Sequence, residues 1–244
     1  MKDNFSSHAE EYLKFRPTYP RELFEFLLKL VSEKITAWDC GTGNGQVAQE
    51  LAKYFDKVYA TDISEKQIKN AVKRKNIHYK VESAEETSFP DRFFDLITVA
   101  QAIHWFDFNK FYKEVKRTLK PNGIIAVIGY GLIQLDDKTN RIINNFYNNI
   151  IGPYWDKERK YIDENYETIP FPFKEKDAIK LTSEFQWTLE QFIGYLATWS
   201  AVKHFIKEKN LNPIDLIYND LKKAWKGINT KPVSFPILLR VGQV

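Results

Sequence analysis

The sequence contains one cysteine, Cys40, in 244 residues, which leaves no means of building a disulfide framework or a thiolate metal cluster. Histidine is nearly as scarce: His8, His78, His104 and His204 lie far apart along the chain, and no metal is expected. No uninterrupted apolar run approaches the roughly 20 residues that cross a bilayer. Residues 1–10 lack the apolar core of a secretory signal, so a cytoplasmic protein without membrane attachment is expected. An excess of one charge is lacking too. Lys and Arg number 36 against 32 Asp and Glu, a net +4 spread without a basic block; the balance does not by itself argue for nucleic acid, and no nucleic-acid partner is expected. There is no internal repeat and no low-complexity segment.

Aromatic residues, by contrast, make up 15% of the chain, and short apolar runs alternate with helical patterns. A chain of this length can bury a sizeable core as one domain. Apolar runs predict strands at 35–39, 57–61, 77–81, 96–100 and 124–128. Helical spacing predicts helices at 21–31, 46–54, 65–74 and 108–119, with a polar helix over 9–15 ended by Arg16-Pro17. This alternation predicts an α/β, Rossmann-like doubly wound sheet, mostly parallel, with helices on both faces. After Gly131 the pattern changes: a helix over 138–151, a loop dense in proline and aromatics over 152–173, a strand within 178–187, helices over 189–207 and 213–226, and a closing strand within 233–244. A single domain over 1–244 is expected, with an N-terminal cap over about 1–30 and a substrate lid inserted over about 132–176.

Three of the ten glycines crowd into residues 41–45. The segment Ala37-Trp38-Asp39-Cys40-Gly41-Thr42-Gly43-Asn44-Gly45 runs into a helical pattern at Gln46. A strand that enters alternating glycines and then a helix makes a tight turn whose backbone approaches a ligand at the carboxyl end of a parallel sheet. Asp39 is placed to meet a positive group on that ligand. Asp62 ends the next apolar run, 62 − 39 = 23 residues on, the spacing at which a carboxylate at the second strand's tip grips ribose hydroxyls. Dinucleotide turns read G-x-G-x-x-G and seat a pyrophosphate on the helix N-terminus. Here the spacing is G-x-G-x-G, and Asp39 would sit badly beside a pyrophosphate. A ribose-bearing ligand with a cationic amino-acid portion suits both acids.

The pattern Asp39-x-Gly41-x-Gly43-x-Gly45, with Asp62 one strand later, resembles motif I and its acidic follower in the class I S-adenosylmethionine (SAM)-dependent methyltransferases. The resemblance spans about residues 35–130. It implies a seven-stranded sheet whose last strand is antiparallel and inserts beside the fifth, and SAM as cofactor. It implies SAM contacts from Asp39, Gly41, Thr42, Gly43 and Gly45, and ribose contacts from Asp62. Ile63 would cover the adenine face, Ala84 and Glu85 would meet the adenine in the turn after the third strand, and Gln101 would approach the methionine portion or the reacting methyl. The segment Ala100-Gln101-Ala102-Ile103-His104-Trp105-Phe106 resembles a narrower group, small-molecule methyltransferases of the trans-aconitate methyltransferase type. Residues 5–20 are similar to that group's cap over the cofactor, which adds Tyr12, Arg16 and Tyr19 as cofactor contacts.

SAM carries an already activated methyl, so alignment and exclusion of water are what such a protein supplies. The expected acceptor is a small, acidic molecule methylated on a carboxylate oxygen by a monomeric enzyme. A carboxylate needs no general base; a phenol, alcohol or amine would profit from one. His104 and Trp105 are therefore the catalytic candidates, to orient a carboxylate or to remove a proton. Tyr130, Tyr154, Trp155, Tyr195 and Trp199 are candidate pocket walls, and Arg16 or Arg240 could clamp an acid through both its oxygens. Two alternatives remain: a methyltransferase acting on RNA or protein, and a non-catalytic SAM-binding protein. The fourth strand lacks the Asn/Asp-Pro-Pro-Tyr signature of amino-group methylation, and no arginine-rich appendage is present.

Overall fold

The computed structural model describes residues 15–244; Tyr12 and nearly all of the helix expected over 9–15 lie outside them. The first half reads α1 (Arg21–Leu30), β1 (Thr36–Cys40), α2 (Gln46–Leu51), β2 (Lys57–Asp62), α3 (Glu65–Lys69), β3 (Ile77–Val81), β4 (Phe94–Ala100), α4 (Phe108–Thr118) and β5 (Leu119–Tyr130). The second half adds α5 (Asp137–Asn145), α6 (Lys160–Asp163), β6 (Lys174–Lys176), β7 (Thr182–Trp187), α7 (Leu189–Ala197), α8 (Ser200–Lys209), α9 (Asp215–Ala224) and β8 (Lys231–Gln243).

β1 is buried at every position, as a strand covered on both faces must be. The two-residue period of a strand sends its neighbours to opposite cores. Trp38 and Cys40 join Ile97, Val99, Ile125 and Val127 on one face, under Phe111 and Val115 of α4. Ala37 joins Val58, Ala60, Leu96 and Ile124 on the other, under Leu23 and Leu27 of α1 and Val47 and Leu51 of α2. α1 begins where Pro20 fixes an extended backbone, and its buried Leu23, Phe24 and Leu27 share one face.

The continuous path of the sheet is β3-β2-β1-β4-β5-β8-β6. Strands β1 to β5 pair in parallel, and β8 runs antiparallel beside β5 from Ile124↔Gln243 to Tyr130↔Ile237. Six of the seven strands expected lie on this path, and its seventh member, the short edge strand β6, was not expected; the strand expected within 178–187 is β7, which stands off the path. β7 pairs with the first half of β8, from Trp187↔Lys231 to Thr182↔Pro236. Strand order reverses between β1 and β4, each of which has a parallel neighbour on its far side; such a switch point opens a crevice at the strands' carboxyl ends.

Several boundaries differ from the sequence reading. The helix expected over 65–74 stops at Lys69, and the Val72 N–H instead donates to the Asn44 carbonyl at 3.1 Å. The helix expected over 138–151 is α5 followed by a wider π turn over Phe146–Ile150. The expected loop over 152–173 contains α6 and two 3₁₀ turns. The single helix expected over 189–207 is two, because the Thr198 hydroxyl turns back to donate to the Tyr195 carbonyl at 2.6 Å and Trp199 takes an extended backbone. Around these later elements lies a third core, in which Tyr130, Phe146, Tyr195, Trp199 and Phe235 pack together. Among the described residues no helix is long and apolar enough to cross a membrane.

Candidate active site

The glycine turn sits at the switch point, between the end of β1 and the start of α2. Gly41, Gly43 and Gly45 have φ of +65°, +55° and +85°. At Gly45 a side chain has no room, because a Cβ would lie 2.2 Å from the Tyr79 hydroxyl. At Gly43 nothing lies within 4 Å of that position, so the turn leaves an open cradle there. The Thr42 N–H donates to the Thr61 carbonyl at 2.9 Å, which ties the turn to β2.

Both acids hold this turn in shape. Asp39 is buried (1% exposed); its Oδ2 accepts from the Thr42 hydroxyl at 2.5 Å and the Ala48 N–H at 3.0 Å, and its Oδ1 from the Thr98 hydroxyl at 2.9 Å. Burial pushes its carboxyl up to about 6, against the pull of those hydrogen bonds; nearby Asp62 adds to the rise. Asp62 accepts from the Gly43 N–H at 2.8 Å and the Ser64 N–H at 2.9 Å, so β2's tip and the glycine turn share one carboxylate.

A cleft of about 870 Å³, counting the part open to solvent, runs over the turn. Of the residues expected at the cofactor, it gathers Asp39, Gly41, Thr42, Gly43, Asp62 and Ile63. Arg16, Tyr19, Gln101 and Trp105 line it as well. Gly45, Ala84 and Glu85 do not. Gly45 backs the turn against Tyr79, and Ala84 is buried in the α4-side core. Glu85 accepts from the Ser83 hydroxyl and, at 3.2 Å, from the Asp107 N–H. The structure adds Asn44, Ser64 and Gln67, side chains that sequence spacing did not single out. Gln101 is distinctive. It has a φ of +55°, a conformation a glutamine adopts only under constraint, and its side chain donates to the Tyr130 carbonyl at 3.1 Å.

A second cavity of about 480 Å³, again counting open solvent, adjoins the cleft: Arg16, Gln101 and Trp105 line both. His104 lies here, with Trp155, Trp199 and Arg159. His104 is 5% exposed, and its Nδ1 is 3.3 Å from the Tyr166 hydroxyl. Burial, with the Arg159 charge adding to it, lowers its pKa to about 3, so the imidazole is neutral at ordinary pH. The two arginines considered as clamps have structural duties. Arg16 donates to the Tyr130 hydroxyl at 2.7 Å and the Thr198 carbonyl at 3.3 Å. Arg240 lines neither cavity; it pins β6 through Glu175 and the segment before it through the Tyr166 and Ile169 carbonyls. Arg159 was not foreseen. Its only sequence signal is a cation set among Tyr154, Trp155 and Tyr161. Among the described residues no group of three or more His, Cys, Asp or Glu could hold a metal.

A parallel sheet with a glycine turn and two acids at its switch point defines a nucleoside-binding α/β protein, and the open cradle at Gly43 beside Asp62 fits the ribose end of such a ligand. The sequence profile of a methyltransferase domain matches residues 38–127, from β1 to β5. A Dictyostelium discoideum protein that bears a methyltransferase name is 36% identical over 245 residues, covering 97% of this chain and 93% of that protein. A Schizosaccharomyces pombe protein, described as an uncharacterized methyltransferase, is 31% identical, covering 96% and 93%. A solved structure from Anaeromyxobacter dehalogenans, described as a type II methyltransferase, is 36% identical with a TM-score of 0.87, covering 94% of this chain and 98% of that one. The chain belongs to the class I SAM-dependent methyltransferases.

Proposed function

We propose that this methyltransferase modifies a small carboxylic acid on a carboxylate oxygen, within a single domain whose residues beyond Gly131 close over the acceptor. When bound, SAM supplies a sulfonium methyl: the acceptor oxygen's lone pair forms the new C–O bond as the C–S bond breaks, and that electron pair stays on sulfur. Asp62 would receive the ribose hydroxyls, Asp39 the ammonium of the methionine portion, and Ile63 an adenine face. Arg16 and Tyr19 border the same cleft and would cover the cofactor from the N-terminal side.

The observation that carries the acceptor reading is the character of the second cavity. It holds a histidine too weakly basic to take a proton from a phenol or alcohol, beside the positive charge of Arg159. An acceptor that arrives already ionised needs no base and gains from that charge. His104 then orients the acceptor by hydrogen bonding, with the Trp105 ring tilted against it at a centroid distance of 4.9 Å. The His-Trp resemblance to the trans-aconitate methyltransferase type supports the same reading. Methyl-labelled SAM, offered with matched sets of carboxylic acids, phenols and alcohols, tests it. Label is expected in the acids, as esters that alkali hydrolyses; alkali-stable label in phenols or alcohols would contradict it.

A further inference from the structure

Arg159 has its inner edge fully employed and its outer edge open. Its Nε donates to the Tyr147 hydroxyl at 2.6 Å and to Asp163 Oδ1 at 3.2 Å. The guanidinium lies over the rings of Trp155 and Tyr147, with centroids 4.8 Å and 5.2 Å away. Neither Nη1 nor Nη2 meets a protein acceptor among the described residues, and these two nitrogens carry four of the five guanidinium N–H groups. The side chain lines the second cavity. A guanidinium oriented by an acid, a phenol and two rings, with its fork uncommitted on a cavity wall, is built to receive a carboxylate through both oxygens.

Location decides which carboxylate. Gln101 and Trp105 line both cavities and mark the border with the cofactor cleft, whereas Arg159, Trp155 and Trp199 line the second cavity alone. A carboxylate held on the Arg159 fork has its charge neutralised and its lone pairs engaged, which makes it a poor nucleophile. The oxygen that accepts the methyl must therefore be a different one, at the Gln101 border. We infer that Arg159 anchors a second, non-reacting carboxylate of the acceptor, a specificity contact distinct from the cofactor cleft. The inference rests on the carboxylate reading given under Proposed function.

The test uses the whole protein loaded with S-adenosylhomocysteine, titrated calorimetrically with the diacids glutarate, adipate and terephthalate and with the monoacids butyrate and benzoate. At least one diacid should bind about tenfold or more tighter than the monoacids. Arg159→Gln should lose that advantage while S-adenosylhomocysteine affinity stays within about twofold, since Arg159 lies outside the cofactor cleft. Diacid affinity unchanged in Arg159→Gln, or no diacid preferred in the native protein, would overturn the anchor. Should Arg159→Gln fail to melt cooperatively, Arg159→Lys decides: it keeps a charged stem beside Tyr147 and Trp155 but not the fork, so diacid affinity should still fall several-fold, and no fall overturns the proposal. Failure of native protein to bind S-adenosylhomocysteine would instead strike the cofactor assignment beneath it.

Discussion

Asp39 holds the glycine turn and, in the function proposed above, would also meet the ammonium of SAM. Its carboxyl is raised to about 6 from an ordinary 3.8. Between those values the native state keeps a proton that the unfolded chain has released. The stability contributed by the protonated form is therefore full below about pH 4 and is lost as pH rises through 6, a difference of about 3 kcal/mol. An arriving ammonium favours the ionised form, so SAM affinity should rise about tenfold or more between pH 5 and 7, read by calorimetry. Asp39→Asn should flatten that rise. Asp62 answers to a different measurement. Asp62→Ala should weaken SAM by about 1–3 kcal/mol through lost ribose hydrogen bonds, and unaltered affinity in the same titration would refute the ribose assignment. The pairing of these acids was legible in the sequence because strand-end spacing reports geometry directly. Asp39's bonds to Thr42, Ala48 and Thr98 were not, since Thr98 comes from a strand placed beside β1 only by the fold.

At the scale of the element, the glycine turn separates space for the chain from space for the ligand. Gly45→Ala meets a positive φ and the Tyr79 hydroxyl together, and should cost about 2–4 kcal/mol of stability, seen as a fall in the thermal midpoint of the ligand-free protein. Gly43→Ala meets only the φ penalty, about 1–2 kcal/mol, but places a methyl where the turn leaves its cradle, so SAM affinity should fall by about tenfold or more. Equal effects of the two variants on binding and on stability would contradict that division. β4 and the second half of β5 were readable because buried parallel strands are nearly continuous apolar runs, and β1 and β2 because short apolar stretches end at Asp39 and Asp62. Helix ends were less so: α3 stops when its chain bonds to Asn44, and α7 and α8 part where Thr198 bonds its own helix, events governed by single side chains and tertiary contacts.

For the whole molecule, β8 joins the parallel sheet to the aromatic core. Its second half closes the parallel sheet beside β5, and its first half pairs with β7 beside the aromatic core that packs behind the second cavity. The cleft over the glycine turn was visible in the sequence, since motif spacing maps onto strand ends. The second cavity was visible only as an excess of aromatic residues. Trp155 and Trp199 reached the cavity as expected, but Arg159 gained its meaning from Tyr147 and Asp163, partners that α6 and the preceding turns bring to it. The account holds that the methyl passes to an oxygen already ionised, with no base supplied by the protein. The pH dependence of kcat at saturating SAM, measured with the best carboxylic acceptor, tests this most directly. With His104 neutral and near 3, kcat should be flat from about pH 6.5 to 9; a rise approaching tenfold per pH unit within that range would reveal a titrating base and contradict it.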